Sequence, residues 1–252
     1  LRCDGSNLAL GVPSTSFSID NPRPRLTWAA RHPNRGEQQT AYQLVIKEHQ
    51  RAGQFDALPV LWDSGRVHSA EPSHRLNITM LRSDTAYVWS VTLWDGAGRP
   101  SLPAMPAQFH VALLAQSEWQ DVHWVAGNSK MNHNMLRSTF SVDNPAEVES
   151  AMMYVCGLSY SFVRMNGHAA APNLLTTAPW TNNEQRNAYS VLNVTHLLTS
   201  GRNAVGVVLG HGWRDQRPDP LHGDEPVFKR KDPAFAAEKA AERILRLQLR
   251  LK

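Results

Sequence analysis

Two blocks in the second half of the sequence gather side chains able to hold a ligand. Trp180-Thr181-Asn182-Asn183 sets an indole beside two amides, and Gly212-Trp213-Arg214-Asp215 sets another beside a guanidinium and a carboxylate. Asp219, Asp224 and Glu225 follow in the adjoining stretch. Amide and carboxylate oxygens are the ligands that a hard cation takes, and an indole offers a flat apolar wall. The competing reading has both tryptophans filling the edge of a folded layer, with the acids as solvated loop charges. Carboxylates in turns commonly bond local backbone.

Other chemistries are poorly supplied. His211, Gly212 and Asp215 do not make a hydrolase set, because no Gly-x-Ser-x-Gly elbow presents a nucleophile. His123, His133, His196 and His222 lack the interval that lets two imidazoles on one helix share a zinc ion. Cys3 and Cys156 lie far apart with no metal-ligand spacing; two buried thiols are a more economical reading than a single disulfide, and the redox compartment stays open. Met152-Met153 and the scattered tryptophans read as core. Asn77-Ile78-Thr79 and Asn193-Val194-Thr195 match the glycosylation acceptor pattern, which matters only in a secreted protein.

The elements that must position these residues are strands. With 42% hydrophobic and 19% charged residues, the 252-residue chain can bury a core and is not a disordered segment. Its net charge of +4 is mild and spread out, clustering only at Lys229-Arg230-Lys231 and from Arg243 to Lys252, so no nucleic-acid partner is expected. No membrane partner is expected either. The longest clean apolar run, Ala204 to Gly210, is the size of a strand.

In the first hundred-odd residues Tyr42, Leu44 and Ile46 alternate with polar or opposite-facing neighbours, as do Tyr87, Trp89, Val91 and Leu93. Leu26 and Trp28 begin a further strand. Asn34-Arg35-Gly36, Asp63-Ser64-Gly65 and Asp95-Gly96-Ala97-Gly98 supply turns between them. Phe109 to Ala112 reads as the last strand of a fibronectin type III-like β-sandwich over residues 1–113. Residues 114–252 read as a jelly-roll-like β-sandwich. Ala151 to Cys156 is apolar throughout, as a strand buried on both faces would be, and Tyr160 to Met165 runs into the hairpin turn Asn166-Gly167. Val191 to Val194 and Ala204 to Leu209 are two more strands, with Ser200-Gly201 turning between them; Asn128 to Asn134 reads as a surface loop. The fold is therefore all-β, with one short helix near the C-terminus: Asp232-Pro233 caps a helix-forming run, Ala234 to Arg243. Leu245, Leu247, Leu249 and Leu251 then alternate strictly with Arg246, Gln248, Arg250 and Lys252, a strand pattern. With no turn and no partner after it, this strand reads as one ribbon of a truncated sheet, its open edge able to recruit a second copy.

The series of motifs resembles the N-terminal, non-catalytic domains of bacterial-type α-L-rhamnosidases. In the first half it is carried by Pro24-Arg25-Leu26-Thr27-Trp28, Gln39-Thr40-Ala41-Tyr42-Gln43, Trp62-Asp63-Ser64-Gly65-Arg66-Val67 and Thr85-Ala86-Tyr87-Val88-Trp89. Tyr154-Val155-Cys156-Gly157-Leu158, Met165-Asn166-Gly167, Ala178-Pro179-Trp180-Thr181, Gly201-Arg202-Asn203-Ala204 and Leu209-Gly210-His211-Gly212-Trp213 carry it through the second half.

The resemblance implies a glycoside hydrolase that removes terminal α-L-rhamnose with inversion, through two carboxylic residues housed in a helical barrel. Nothing in this chain resembles that barrel. No catalytic residue is assigned, and the chain alone is expected to be inactive. Its implied partners are the missing catalytic domain and a rhamnose-containing glycoside or polysaccharide. The family's sugar-binding modules hold rhamnose through calcium, so the resemblance points to Trp180 and Trp213, in the matching Trp180-Thr181 and Gly210 to Trp213 blocks, as sugar contacts. The chemistry of the neighbouring polar side chains adds Asn182, Asn183 and Arg214 as sugar contacts, and Asn182 and Asp215 as ligands for calcium as the cofactor. The alternative is a free-standing lectin-like or adhesion protein.

Overall fold

The period-two runs fold as strands. A computed structural model describes residues 1–3, 6–7, 18–49, 55–77, 80–126, 134–158, 160–174, 181, 185–210 and 244–251. They form two compact units, Leu1–Glu118 and Trp119–Lys252.

The first unit contains β1 (Arg2–Cys3), β2 (Ser6–Asn7), β3 (Ser18–Ile19), β4 (Arg25–Thr27), β5 (Ala41–Glu48), β6 (Val60–Asp63), β7 (Val67–His68), β8 (Ser73–Arg75), β9 (Thr85–Trp94) and β10 (Ala107–Val111). One sheet runs β2-β1-β4-β8. The other runs β3-β10-β9-β5-β6, with β7 also on β5. All pairs are antiparallel except β3 with β10. This is an immunoglobulin- or fibronectin-like sandwich. Its core is rich in rings: Trp28, Tyr42, Tyr87, Trp89 and Phe109 are buried with Leu26, Leu44 and Ile46. Gly36, Gly65 and Gly98 adopt positive φ in the three expected turns.

The second unit holds β11 (Val125–Ala126), β12 (Asn134–Val142), β13 (Ala151–Gly157), β14 (Ser161–Met165), β15 (His168–Ala169), β16 (Ser190–Asn193), β17 (Gly201–Leu209) and β18 (Ile244–Leu251). Two four-stranded antiparallel sheets, β11-β18-β13-β16 and β12-β17-β14-β15, enclose a core of Val142, Met153, Val155, Val163, Met165, Val205, Val207 and Leu209. Every residue of β13 is buried. On its inner face Met153 and Val155 enter this core, while Tyr154 meets Trp119 and Tyr189. Asn166 and Gly167, at φ 50° and 84°, turn β14 into β15.

Two expectations are corrected. The strand at Leu245 to Leu251 is not without a partner: β18 pairs with β13 from Ala151 against Leu251 to Gly157 against Leu245, and at Ile244 and Leu245 it also pairs with β11 on its other side. One edge of the strand is thus engaged within the chain, and the other is engaged at its first two residues. Asn134 opens a nine-residue strand rather than closing a loop. A short 3-10 turn, Thr195–Leu197, and the turn at Ser200-Gly201, with Gly201 at φ 80°, carry the chain from β16 in one sheet to β17 in the other. The helix expected after Asp232 lies outside the described residues.

Candidate functional site

Trp180, Asn182, Asn183, Trp213, Arg214 and Asp215 all lie outside the described residues, and only their flanks are placed. Gly210, which follows β17, donates its N–H to the Tyr160 carbonyl at 2.8 Å. A side chain at Gly210 would begin 3.4 Å from the Tyr160 β-carbon, so glycine suits this close approach. Tyr160 itself is 53% exposed. Ahead of β16, Tyr189 packs on Trp119 at 5.4 Å and on Tyr154 at 6.2 Å between ring centroids. Among the described residues no three His, Cys, Asp or Glu side chains group as metal ligands. Cys3 and Cys156 are both buried.

Several motif residues turn out to be joints of the fold. Asn166 and Asn203, far apart in sequence, meet at 2.7 Å, with the Asn166 amide donating to Asn203 Oδ1. Asn166 also donates to the Leu197 carbonyl at 2.8 Å and accepts from the Ala204 N–H at 2.8 Å. Asn203, wholly buried, donates to the Thr199 and Gly201 carbonyls and accepts from the Thr199 N–H. A buried amide whose donors and acceptor are all engaged holds backbone in place without a desolvation penalty left over. The first unit does the same with Gln39. Its Oε1 accepts from Trp28 Nε1 at 2.7 Å, and its amide donates to the Ser69 and Glu71 carbonyls. In the Trp62-Asp63-Ser64-Gly65 block, Asp63 accepts from the Gly65 N–H and the Gln43 amide, and Ser64 Oγ accepts from the Leu44 N–H.

The titratable groups of the first unit lie in similar settings. Tyr42 Oη and His74 Nδ1 are 2.8 Å apart. Burial, then the Glu71 carboxylate, pushes the Tyr42 hydroxyl above its ordinary value, and burial pushes His74 below its own. Asp95 is held low, first by the Arg99 backbone N–H and also by the Arg99 side chain. Ser18 Oγ lies 2.9 Å from His110 Nδ1, and His110 Nε2 lies 3.5 Å from Asp84 Oδ1. That order of groups resembles a nucleophile, base and acid. However, His110 and Asp84 are buried, and Ser18 and His110 are register partners on adjacent strands. The trio is a cross-strand rung joining β3 to β10.

One surface escaped the sequence reading. Along β12, β17 and β14, Leu136, Val207 and Val163 share a row facing the core. The alternate positions face outward. Met135, Val208 and Phe162 form one outward row, and Arg137, Gly206 and Arg164 form the next. Both arginines are exposed. The Arg164 guanidinium lies 5.5 Å from the Phe162 ring centre. Only the strand pairing reveals these rows, because their members come from three separated segments.

Residues 6–115 match the family described as the Rha78A-like, N-terminal immunoglobulin domain, and residues 146–241 match the alpha-L-rhamnosidase N-terminal domain. An alpha-L-rhamnosidase of Formosa agariphila is 26% identical over 241 residues, covering 84% of this chain and 25% of the relative. One of an Alteromonas species is 26% identical over 228 residues, covering 85% and 24%. The chain thus spans about a quarter of the length of the curated relatives that it matches. Two solved structures share the fold: alpha-L-rhamnosidase from Dictyoglumus thermophilum, with a TM-score of 0.71, 21% identity and coverage of 100% of this chain and 27% of that one, and the enzyme from Aspergillus terreus, with a TM-score of 0.71, 21% identity and coverage of 94% and 26%.

Proposed function

Because the chain belongs to the α-L-rhamnosidase family through its two N-terminal domains, we propose that it is the non-catalytic front of an enzyme that releases terminal α-L-rhamnose with inversion. Its work there is to pack against the catalytic portion and to contact the glycoside. The observation that carries this reading is the order of the two matched domains along a chain about a quarter as long as its relatives. An inverting mechanism needs an acid and a base held on opposite sides of the scissile bond. The described residues, strands and short 3-10 turns, place their buried polar groups in joints of the fold instead. Trp180 and Trp213 would wall the sugar, with Asn182, Asn183 and Arg214 bonding its hydroxyls. Asn182 and Asp215 carry oxygens of the kind calcium takes.

The test is hydrolysis of an aryl α-L-rhamnoside by this chain and by the protein encoded by the whole reading frame. Turnover with inversion is expected of the whole protein and none of the 252-residue chain. Hydrolysis by the purified chain, or none by the whole protein, overturns the reading.

A further inference from the structure

A glycine inside a strand forgoes packing and adds backbone freedom to the unfolded chain, so it calls for a reason. Gly206 sits mid-strand in β17, paired without a bulge to Arg137 on β12 and to Arg164 on β14. Its φ is not in the left-handed region, and nothing lies within 4 Å of where its β-carbon would stand. Neither backbone conformation nor crowding asks for glycine here. What the missing side chain leaves is open floor between two arginines, about 10 Å apart across two strand spacings. Among the described residues neither guanidinium is paired with a carboxylate.

We propose that this outward face binds an acidic saccharide, a pyranose bearing a carboxylate, laid over Gly206 between Arg137 and Arg164. Guanidinium groups take a carboxylate through two parallel hydrogen bonds, and two of them flanking one position favour an anion there. The adjoining row supplies an apolar shelf for the C–H face of the ring at Val208 and Met135, while the Arg164 guanidinium lies 5.5 Å from the Phe162 ring centre. Only the choice of a saccharide over another flat carboxylate rests on the rhamnosidase reading.

The experiment is calorimetric titration of the 252-residue chain with a hexamer of galacturonate, against the uncharged galactose hexamer, at low and high salt. The uronate is expected to bind about tenfold tighter than the neutral sugar and to weaken with salt. Arg137→Ala and Arg164→Ala are each expected to weaken binding about tenfold. Gly206→Val should abolish binding while leaving the melting temperature unchanged or raised, since a β-branched residue suits a strand. Equal affinity for both sugars, or undiminished binding by Gly206→Val and by the two alanine variants, overturns the proposal. So does a whole enzyme that no longer binds the uronate, because the face would then be covered by protein. Rhamnoside turnover is a separate readout, so failure here is distinguishable from failure of the proposed function.

Discussion

The two sandwiches close their sheets in different ways. In the first unit the long strands β5, β9 and β10 lie side by side in one sheet, and five rings, Trp28, Tyr42, Tyr87, Trp89 and Phe109, stand among the aliphatic side chains of the core. In the second unit the buried core residues are valine, alanine, leucine and methionine without a ring among them, and the strand that completes one sheet, β18, comes from far down the sequence. Rings bury a large area each and fix their neighbours by shape. A core of smaller, plainer side chains leaves more of that task to backbone pairing and to buried joints such as Asn166 with Asn203. The comparison teaches that similar architecture can depend on side chains in one half and on strand closure in the other.

The largest effect should come from breaking that closure. Leu249 pairs with Met153 midway along the β13–β18 ladder, and Leu249→Pro disrupts that ladder, costing about 3 kcal/mol or more. Hydrogen exchange should show protection lost across β13 and β16 while β5 and β9 stay protected. Protection retained in β13 would mean that the second unit does not depend on β18.

A smaller effect is expected at the buried amides. Asn203→Ala strands several backbone groups and should lower the stability of the second unit by about 2–3 kcal/mol. Gln39→Ala should cost the first unit less, about 1–2 kcal/mol, because Gln39 engages fewer groups than Asn203 does. Denaturant midpoints for the two variants check the ranking, and the reverse order would break the contrast between the units.

The smallest effect is one of pH and is expected in the first unit. His74 is held below its ordinary value of 6.5 by burial, so the unfolded chain takes up the proton first as the pH falls. The stability it lends is complete above that ordinary value and is lost as the pH drops through it toward the folded one. Tyr42, pushed above 10.0, lends stability that is present below that pH and lost above it. Thermal melts between neutral and mildly acidic pH should show a slope that His74→Gln flattens. The Asp95 carboxylate stays out of this window, because its ordinary value of 3.8 is itself lowered.

How much was legible in the sequence followed from burial. β5 announces itself through alternation, and β13 through an unbroken apolar run, because each buries one or both faces. The turn at Asn166-Gly167 is equally plain, since few other pairs accept positive φ twice. β12 was missed because it lies at a sheet edge and Arg137, Ser138, Thr139 and Ser141 dilute its alternation. The alternating leucines declare a strand at Leu245 to Leu251, but no local pattern says which strands will flank it. The site was harder to read. Trp180 and Trp213 stand out by residue type, whereas Gly206 and its two arginines form a set only once three strands are in register.

The placement of β18 also bears on how the protein is made. β13 and β18 are about a hundred residues apart in the sequence. On the ribosome, β13 emerges long before the strand that will cover its flank, and the nascent second sandwich waits half-built with an apolar ribbon exposed. Expression that is too fast, or short of chaperones, should therefore trap this half of the molecule in aggregates before the first half is affected.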